Sequence, residues 1–280
     1  MGDFVGDVIL LLAVGTFAGV LAGFLGIGGG TVMVPVMVAL GLSGVQAVGT
    51  STLAILIISL GGSLQNWRMG FLNLNNVLLL GLPSVVTAFV GTALASYIPE
   101  YLLLGIFGLF LLVNIYLIGI KKRVVAQVAL QGSHASDAPD STTAPAEPAT
   151  PSQPMSPVMA RTLIGGTAGF LAGLFGVGGG VVMVPLQILL LREKIKTAIQ
   201  TSLGAIVITA LSACGWHSLQ GNVVGLTGVL LGLGGLVGVQ GSTRYLPKLP
   251  DPIVTLMFRA LLAFFALFFF YRAWGSFATT

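Results

Sequence analysis

Charge is what this sequence lacks most. Asp, Glu, Lys and Arg together make up only 7% of it, against about 25% in a soluble globular domain. In their place, apolar runs of about 18 residues or more recur along most of the chain, the mark of membrane-spanning helices. Acids are missing from every expected span: Glu193 and Asp251 stand at boundaries and the remainder lie in termini, loops or linker. That argues against a carboxylate proton relay and against a carboxylate-bound cation as the solute. The single cysteine, Cys214, excludes an intramolecular disulfide and a cysteine-based metal site. No basic residue precedes the first apolar run at Val8, and that run outlasts a signal-peptide core, so cleavage is not expected. The net charge of +4 comes mainly from Lys and Arg in short loops. There it reports topology and not a nucleic-acid partner.

Glycine and repetition are abundant instead. "AGFLGIGGGTVMVP" at Ala22–Pro35 returns as "AGLFGVGGGVVMVP" at Ala172–Pro185, with ten of fourteen positions identical. The likeness continues: "TSTLAI" at Thr50 matches "TSLGAI" at Thr201, "LLGLP" at Leu79 matches "LLGLG" at Leu230, and "YIPE" at Tyr97 matches "YLPK" at Tyr245. Each half reads as a glycine-interrupted apolar stretch, 8–41 or 162–191, followed by helices at 44–65 and 197–215, 73–97 and 223–243, and 101–120 and 252–272. Between the halves the composition turns to Ala, Ser and Pro, with six of the thirteen prolines, too polar to bury a core.

Basic residues concentrate on the cytoplasmic side of membrane proteins, and this decides how 162–191 is placed. Arg259 is set aside because it lies within a helix. If both glycine stretches cross once, the other Lys and Arg split six to five; if both are hairpins, ten fall on one face and only Arg272 on the other. Letting only the first stretch cross gives the same ten-to-one split, so the first half rests on the repeat itself. The expectation is an all-α integral membrane protein of two inverted repeats, each a re-entrant glycine-tipped helical hairpin plus three transmembrane helices. It divides into repeat 1 (1–123), a flexible cytoplasmic Pro/Ser/Ala-rich linker (124–160) and repeat 2 (161–280), with both termini periplasmic or extracellular. Inverted repeats with interrupted helices place a solute site near the midplane.

Glycine suits a sharp reversal because it reaches positive φ and lets other groups approach its backbone. New helices are expected near Thr31 and Val181, with Pro35 and Pro185 about one turn inside. Their first amides have no intrahelical acceptor and carry the positive end of the helix dipole, which makes an anion cradle. Candidate binding residues are therefore Gly28, Gly29, Gly30 and Thr31, with Gly178, Gly179, Gly180 and Val181. Gly15/Gly19 and Gly165/Gly169 have the GxxxG spacing of helix packing instead. No P-loop lysine and no GxGxxG spacing supports a nucleotide reading.

Thr50 and Ser51 recur as Thr201 and Ser202, and their hydroxyls can donate to an anion or bond their own helix backbone. Gln200, standing where the first half has Gly49, breaks the symmetry of the site. Arg259 can contact solute or snorkel to the interface. His217, in "GWHSLQGN", reads as a solvated loop histidine, and Trp67, Trp216 and Trp274 as interfacial anchors.

The paired phrases "GFLGIGGGTVMVP" and "GLFGVGGGVVMVP", each followed by a "TS" pair, resemble the sulfite exporter TauE/SafE family of membrane permeases over both halves. The resemblance implies a multi-pass carrier of the bacterial inner membrane for sulfite or small organosulfonates, with Gly28–Thr31, Thr50, Ser51, Gly178–Val181, Thr201 and Ser202 as motif positions. The reading from residues is an anion permease working by alternating access. A passive anion channel and an intramembrane enzyme are its rivals, and the second lacks a buried acid or paired histidines. The expected partners are a small anion and the lipid bilayer, a homodimer is left open, and no nucleic acid, metal or cofactor is expected.

Overall fold

The computed structural model describes residues 2–95, 102, 105–106, 108–113, 115–116, 156–175 and 178–278. Expectations for 96–101 and 117–155, most of the linker among them, lie outside the described residues. Regular structure within them is all helical: α1 (Gly2–Leu25), α2 (Gly30–Ala39), α3 (Gly44–Arg68), α4 (Leu74–Ala95), α5 (Pro157–Phe175), α6 (Gly180–Leu190), α7 (Ile195–Leu219), α8 (Gly225–Tyr245), a 3₁₀ turn (Leu246–Lys248) and α9 (Asp251–Ala278). The described positions between 102 and 116 are all helical too.

Local sequence explains where several helices begin. At α3, Ser43 Oγ accepts from the Gln46 amide while the Gln46 side chain accepts from the Ser43 amide, both at 3.3 Å, a reciprocal cap. At α5, Ser156 Oγ accepts from the Met159 amide at 3.3 Å, and Pro157 supplies the preset φ of a first helical residue. Residues 157–160, expected as the end of the linker, are thus the first turn of a helix.

Among the described residues, six helices are long and apolar enough to cross a membrane: Val5–Leu25, Gly44–Arg68, Leu74–Gly91, Ile195–Leu219, Gly225–Lys248 and Asp251–Phe268. The first of these was expected as one arm of a hairpin, yet it has the length to cross alone. By contrast α2 and α6 have 10 and 11 residues, about 15 Å at 1.5 Å per residue and half of a ~30 Å hydrocarbon core. At each glycine break the chain touches the helix before it. A methyl group added to Gly29 would lie 3.0 Å from the Ala18 carbonyl oxygen, and one on Gly179 3.4 Å from that of Ala168, its repeat counterpart.

The halves are joined by glycine-lined crossings. A methyl on Gly15 would collide with the Leu231 carbonyl and one on Gly19 with that of Gly235, so α1 and α8 run parallel in close backbone contact. In the same way Gly165 abuts Leu80 and Gly169 abuts Ser84, which joins α5 to α4. The packing role expected of these four glycines is the one they have. In the bilayer such small-residue contacts replace the hydrophobic drive that holds soluble helices together. The central pair, α3 and α7, is antiparallel. Thr50, early in α3, meets Val224 beyond the end of α7, and Gly204, early in α7, meets Leu72 and Val77 beyond the end of α3.

Cations gather at one end of this bundle. Arg161 pairs with Glu193 at 2.8 Å, and Lys196 pairs with Asp251 at 3.2 Å and donates to the Pro247 carbonyl at 3.1 Å. Arg68, closing α3, lies at this same end because α3 opposes α7. The α1–α8 contact gives a direct stability test. Gly19→Ala is expected to cost about 1–3 kcal/mol through overpacking. Gly6→Ala, where an added methyl meets nothing within 4 Å, should be neutral or stabilise by up to about 1 kcal/mol. Thermal unfolding in detergent measures both.

Candidate functional site

Positive φ angles at Gly26 (68°), Gly28 (80°), Gly29 (80°) and Gly178 (72°) explain why the turns are glycine. A side chain there costs roughly 1–2 kcal/mol per residue. The turns also meet each other. Gly180 sits so close to the Gly26 carbonyl oxygen that a methyl group could not fit, and a methyl on Gly178 would lie 3.6 Å from the Ile27 carbonyl oxygen. Ile55 and Ile206, repeat counterparts on α3 and α7, flank the meeting point; a methyl on Gly28 would lie 3.3 Å from one and 3.5 Å from the other.

The backbone at this contact carries unanswered donors. Val32 and Met33 donate to the Gly29 carbonyl at 3.2 and 3.3 Å, and Val182 and Met183 donate to that of Gly179 at 3.1 and 2.8 Å. The amides just ahead of them, Gly28–Thr31 and Gly178–Val181, have no acceptor among the described residues, and all of these residues except the half-buried Gly178 are buried. Thr31 Oγ1, also buried, has no partner either. Any helix leaves its first amides open, but water normally answers them. The two helix starts lie beside each other at this contact, so the positive ends of both dipoles fall in one region.

A cavity of about 380 Å³ reaches this region. Gly178 and Gly179 line its inner end, Thr52, Ile55, Ile206 and Thr209 its middle, and Trp216, His217 and Gln220 the end beside the start of α3. Trp216 is held edge-on by Phe89, with ring centroids 5.4 Å apart. Its walls are mostly apolar, so a solute there is recognised chiefly by backbone and hydroxyl groups.

Of the residues picked out from sequence, Gly178 and Gly179 line this cavity. Gly28, Gly29, Gly30 and Thr31 lie in the adjoining turn, and Gly180 and Val181 just beyond it in α6. The four hydroxyls are otherwise engaged. Thr50 Oγ1 accepts from the Val224 amide at 3.0 Å and so ties α3 to the start of α8. Ser51 donates to the Val48 carbonyl at 2.7 Å and Thr201 to that of Thr197 at 2.9 Å. Ser202 Oγ accepts from Gln187 Nε2 at 2.7 Å. Gln200 is 5% exposed, and Arg259 is half-buried on α9; neither lines the cavity.

Three groups escaped the sequence reading. Thr52, next to Ser51, and Thr209, two turns beyond Ser202 on α7, are the threonines that line the cavity. Gln187, fully buried on α6, bridges to the Met183 and Ala198 carbonyls and to Ser202; a glutamine in an otherwise apolar helix was the available signal. His217 is not a solvated loop residue. It belongs to the last turn of α7, half-buried, with Nδ1 shielded and unpartnered. Among the described residues no group of three His, Cys, Asp or Glu side chains could hold a metal.

The unpartnered threonine allows a two-sided test. Thr31→Val removes a buried, unsatisfied hydroxyl, so the empty protein should gain about 1 kcal/mol and melt a few degrees higher. The added stabilisation from a bound oxyanion such as sulfite should shrink. Melting curves with and without sulfite check both signs.

Comparison with known proteins agrees with this architecture. Residues 11–269 match the family described as Sulfite exporter TauE/SafE. A probable membrane transporter protein of Methanocaldococcus jannaschii is 29% identical over 209 residues, 72% of this chain and 69% of its own. The probable membrane transporter protein YunE of Bacillus subtilis is 26% identical over 262 residues, covering 91% and 94%. A third, from Xylella fastidiosa, is 25% identical over 277 residues, covering 96% and 97%. No solved structure matches. The family is one of transporters and not of enzymes, so a chain matched from Leu11 to Phe269, with six helices fit to cross a bilayer, belongs to the TauE/SafE sulfite exporter family of multi-pass membrane transporters.

Proposed function

We propose that this transporter carries small sulfur-containing oxyanions, sulfite or short organosulfonates, by alternating access around the meeting point of the two glycine turns. The carrying observation is the buried amide set Gly28–Thr31, which finds no acceptor among the described residues, and its repeat counterpart Gly178–Val181 at the same meeting point. An oxyanion answers several such donors at once through its oxygens, in charge-assisted hydrogen bonds. Backbone donors suit a chain whose described spans carry acids only near their ends, at Asp7 and Asp251, because they bind negative charge without placing a cation in the apolar core.

In this reading α1–α2 and α5–α6 are re-entrant hairpins from opposite faces, and the two halves are inverted repeats. The antiparallel setting of α3 and α7 supports the inversion, as does the folding back of Gly29 onto Ala18 and of Gly179 onto Ala168. The end bearing Arg68, Arg161 and Lys196 is cytoplasmic by the charge rule, which puts the termini outside and the 124–160 segment within the cell. Thr50 and Ser202 serve the site indirectly, by tying α3 to the start of α8 and α6 to α7. The family's description as a sulfite exporter supports sulfite and export.

Proteoliposomes separate a carrier from a channel. Labelled sulfite entering vesicles preloaded with unlabelled sulfite should show counterflow and saturation; linear flux without counterflow would mean a channel. Gly179→Leu, which fills the inner end of the cavity, should weaken sulfite binding by about tenfold or more, equivalent to about 1.4 kcal/mol. Unchanged affinity would remove the glycine turn from the site.

A further inference from the structure

The cavity lies toward the His217 end of α7, and the repeat shows what its counterpart is. Adding 151 to a first-half position gives its second-half equivalent, so Asn66 corresponds to His217, Gly62 to Ala213, Thr52 to Leu203 and Ala88 to Val239. In the open cavity Thr52, Ala88, Ala213 and His217 are lining residues. Their counterparts are packed shut. A methyl on Gly62 would lie 2.5 Å from Leu203 Cδ2 and 2.8 Å from Val239 Cγ2, and Leu203 and Val239 are wholly buried in the same apolar cluster as Ile58.

Polar atoms are sealed behind this plug. Asn66 is 0% exposed, and both its Nδ2 and its Oδ1 lack a partner. Ser63, one turn earlier on α3, has an unpartnered buried hydroxyl as well. A buried primary amide with neither end satisfied among the described residues has no packing rationale, since buried polar groups in stable structures are paired. It does have one if water or solute reaches it in a second conformation. The mouth of that space also differs in charge: where the open cavity has Val45, its counterpart has Lys196, held in this conformation by Asp251 and the Pro247 carbonyl.

We propose that Ser63 and Asn66 line a second vestibule for the hydrated anion, closed in this structure by Leu203 and Val239 against Gly62, and that it opens as the His217 cavity closes. The inference rests on the carrier reading above and assigns its gate. Lys196, freed at the opened mouth, stands where it attracts the anion on that side alone.

Single cysteines in a Cys214→Ser background test this with a membrane-impermeant methanethiosulfonate reagent applied from either side of reconstituted vesicles. Ala213→Cys should react only from the His217 side. Ser63→Cys and Asn66→Cys should react slowly, and only from the opposite side. Gly62→Val wedges the plug, so it should speed Ser63→Cys labelling by about tenfold while slowing Ala213→Cys, as expected of one shifted equilibrium. Reaction of Ser63→Cys from the His217 side, a rise at both positions together, or no reaction in a wedged protein that still melts cooperatively would each overturn the gate. Sulfite binding is not read here, so a failed gate leaves the glycine cradle standing, and a failed cradle leaves the gate.

Discussion

A backbone amide buried in an apolar region must find an acceptor, and this requirement governs the centre of the molecule. Helices α2 and α6 are too short to cross, begin inside the protein and present their first amides where bulk water is excluded. A non-helical backbone at such depth is tolerated only when protein or a wet cavity covers it. Both conditions are met here: each turn covers the other at Gly26 and Gly180, and the 380 Å³ cavity touches Gly178 and Gly179. In the function proposed above, an anion completes the hydrogen bonding at these turns.

The rest of the helices hold that arrangement in place. Two glycine-lined crossings, α1 with α8 and α5 with α4, link each half to the other, so neither turn is carried by its own repeat alone. Thr50 adds a cross-repeat hydrogen bond to Val224, 174 residues away. Gln187 fixes α6 against α7 through Ser202. Such contacts hold the helices that carry the glycine turns in place.

The local backbone was legible in the sequence because glycine and proline act locally. The doubled phrase placed the breaks and the restarts of α2 and α6 within one residue, and the GxxxG pairs proved to be close crossings. What the sequence hid was every pairing between distant segments. Thr50 and Thr201 occupy equivalent positions, yet one accepts a bond from Val224 and the other bonds its own helix; only the tertiary fold distinguishes them. His217 looked like a loop residue because "QGN" follows it, whereas α7 runs on through Leu219. Ser156 and Pro157 were read as polar linker, though together they are a helix-start signal. The sealing of Leu203 over Gly62 follows from how two halves with the same pattern settle into unlike packing, which no single-chain pattern encodes.

The most direct measurement of the central claim is the position of a heavy sulfite analogue. Anomalous diffraction from crystals grown with selenite should show a selenium peak between Gly28–Thr31 and Gly178–Val181, within hydrogen-bond reach of both sets of amides. A selenium site elsewhere in the protein, with the two turns unoccupied at a selenite concentration that blocks transport, would contradict the account.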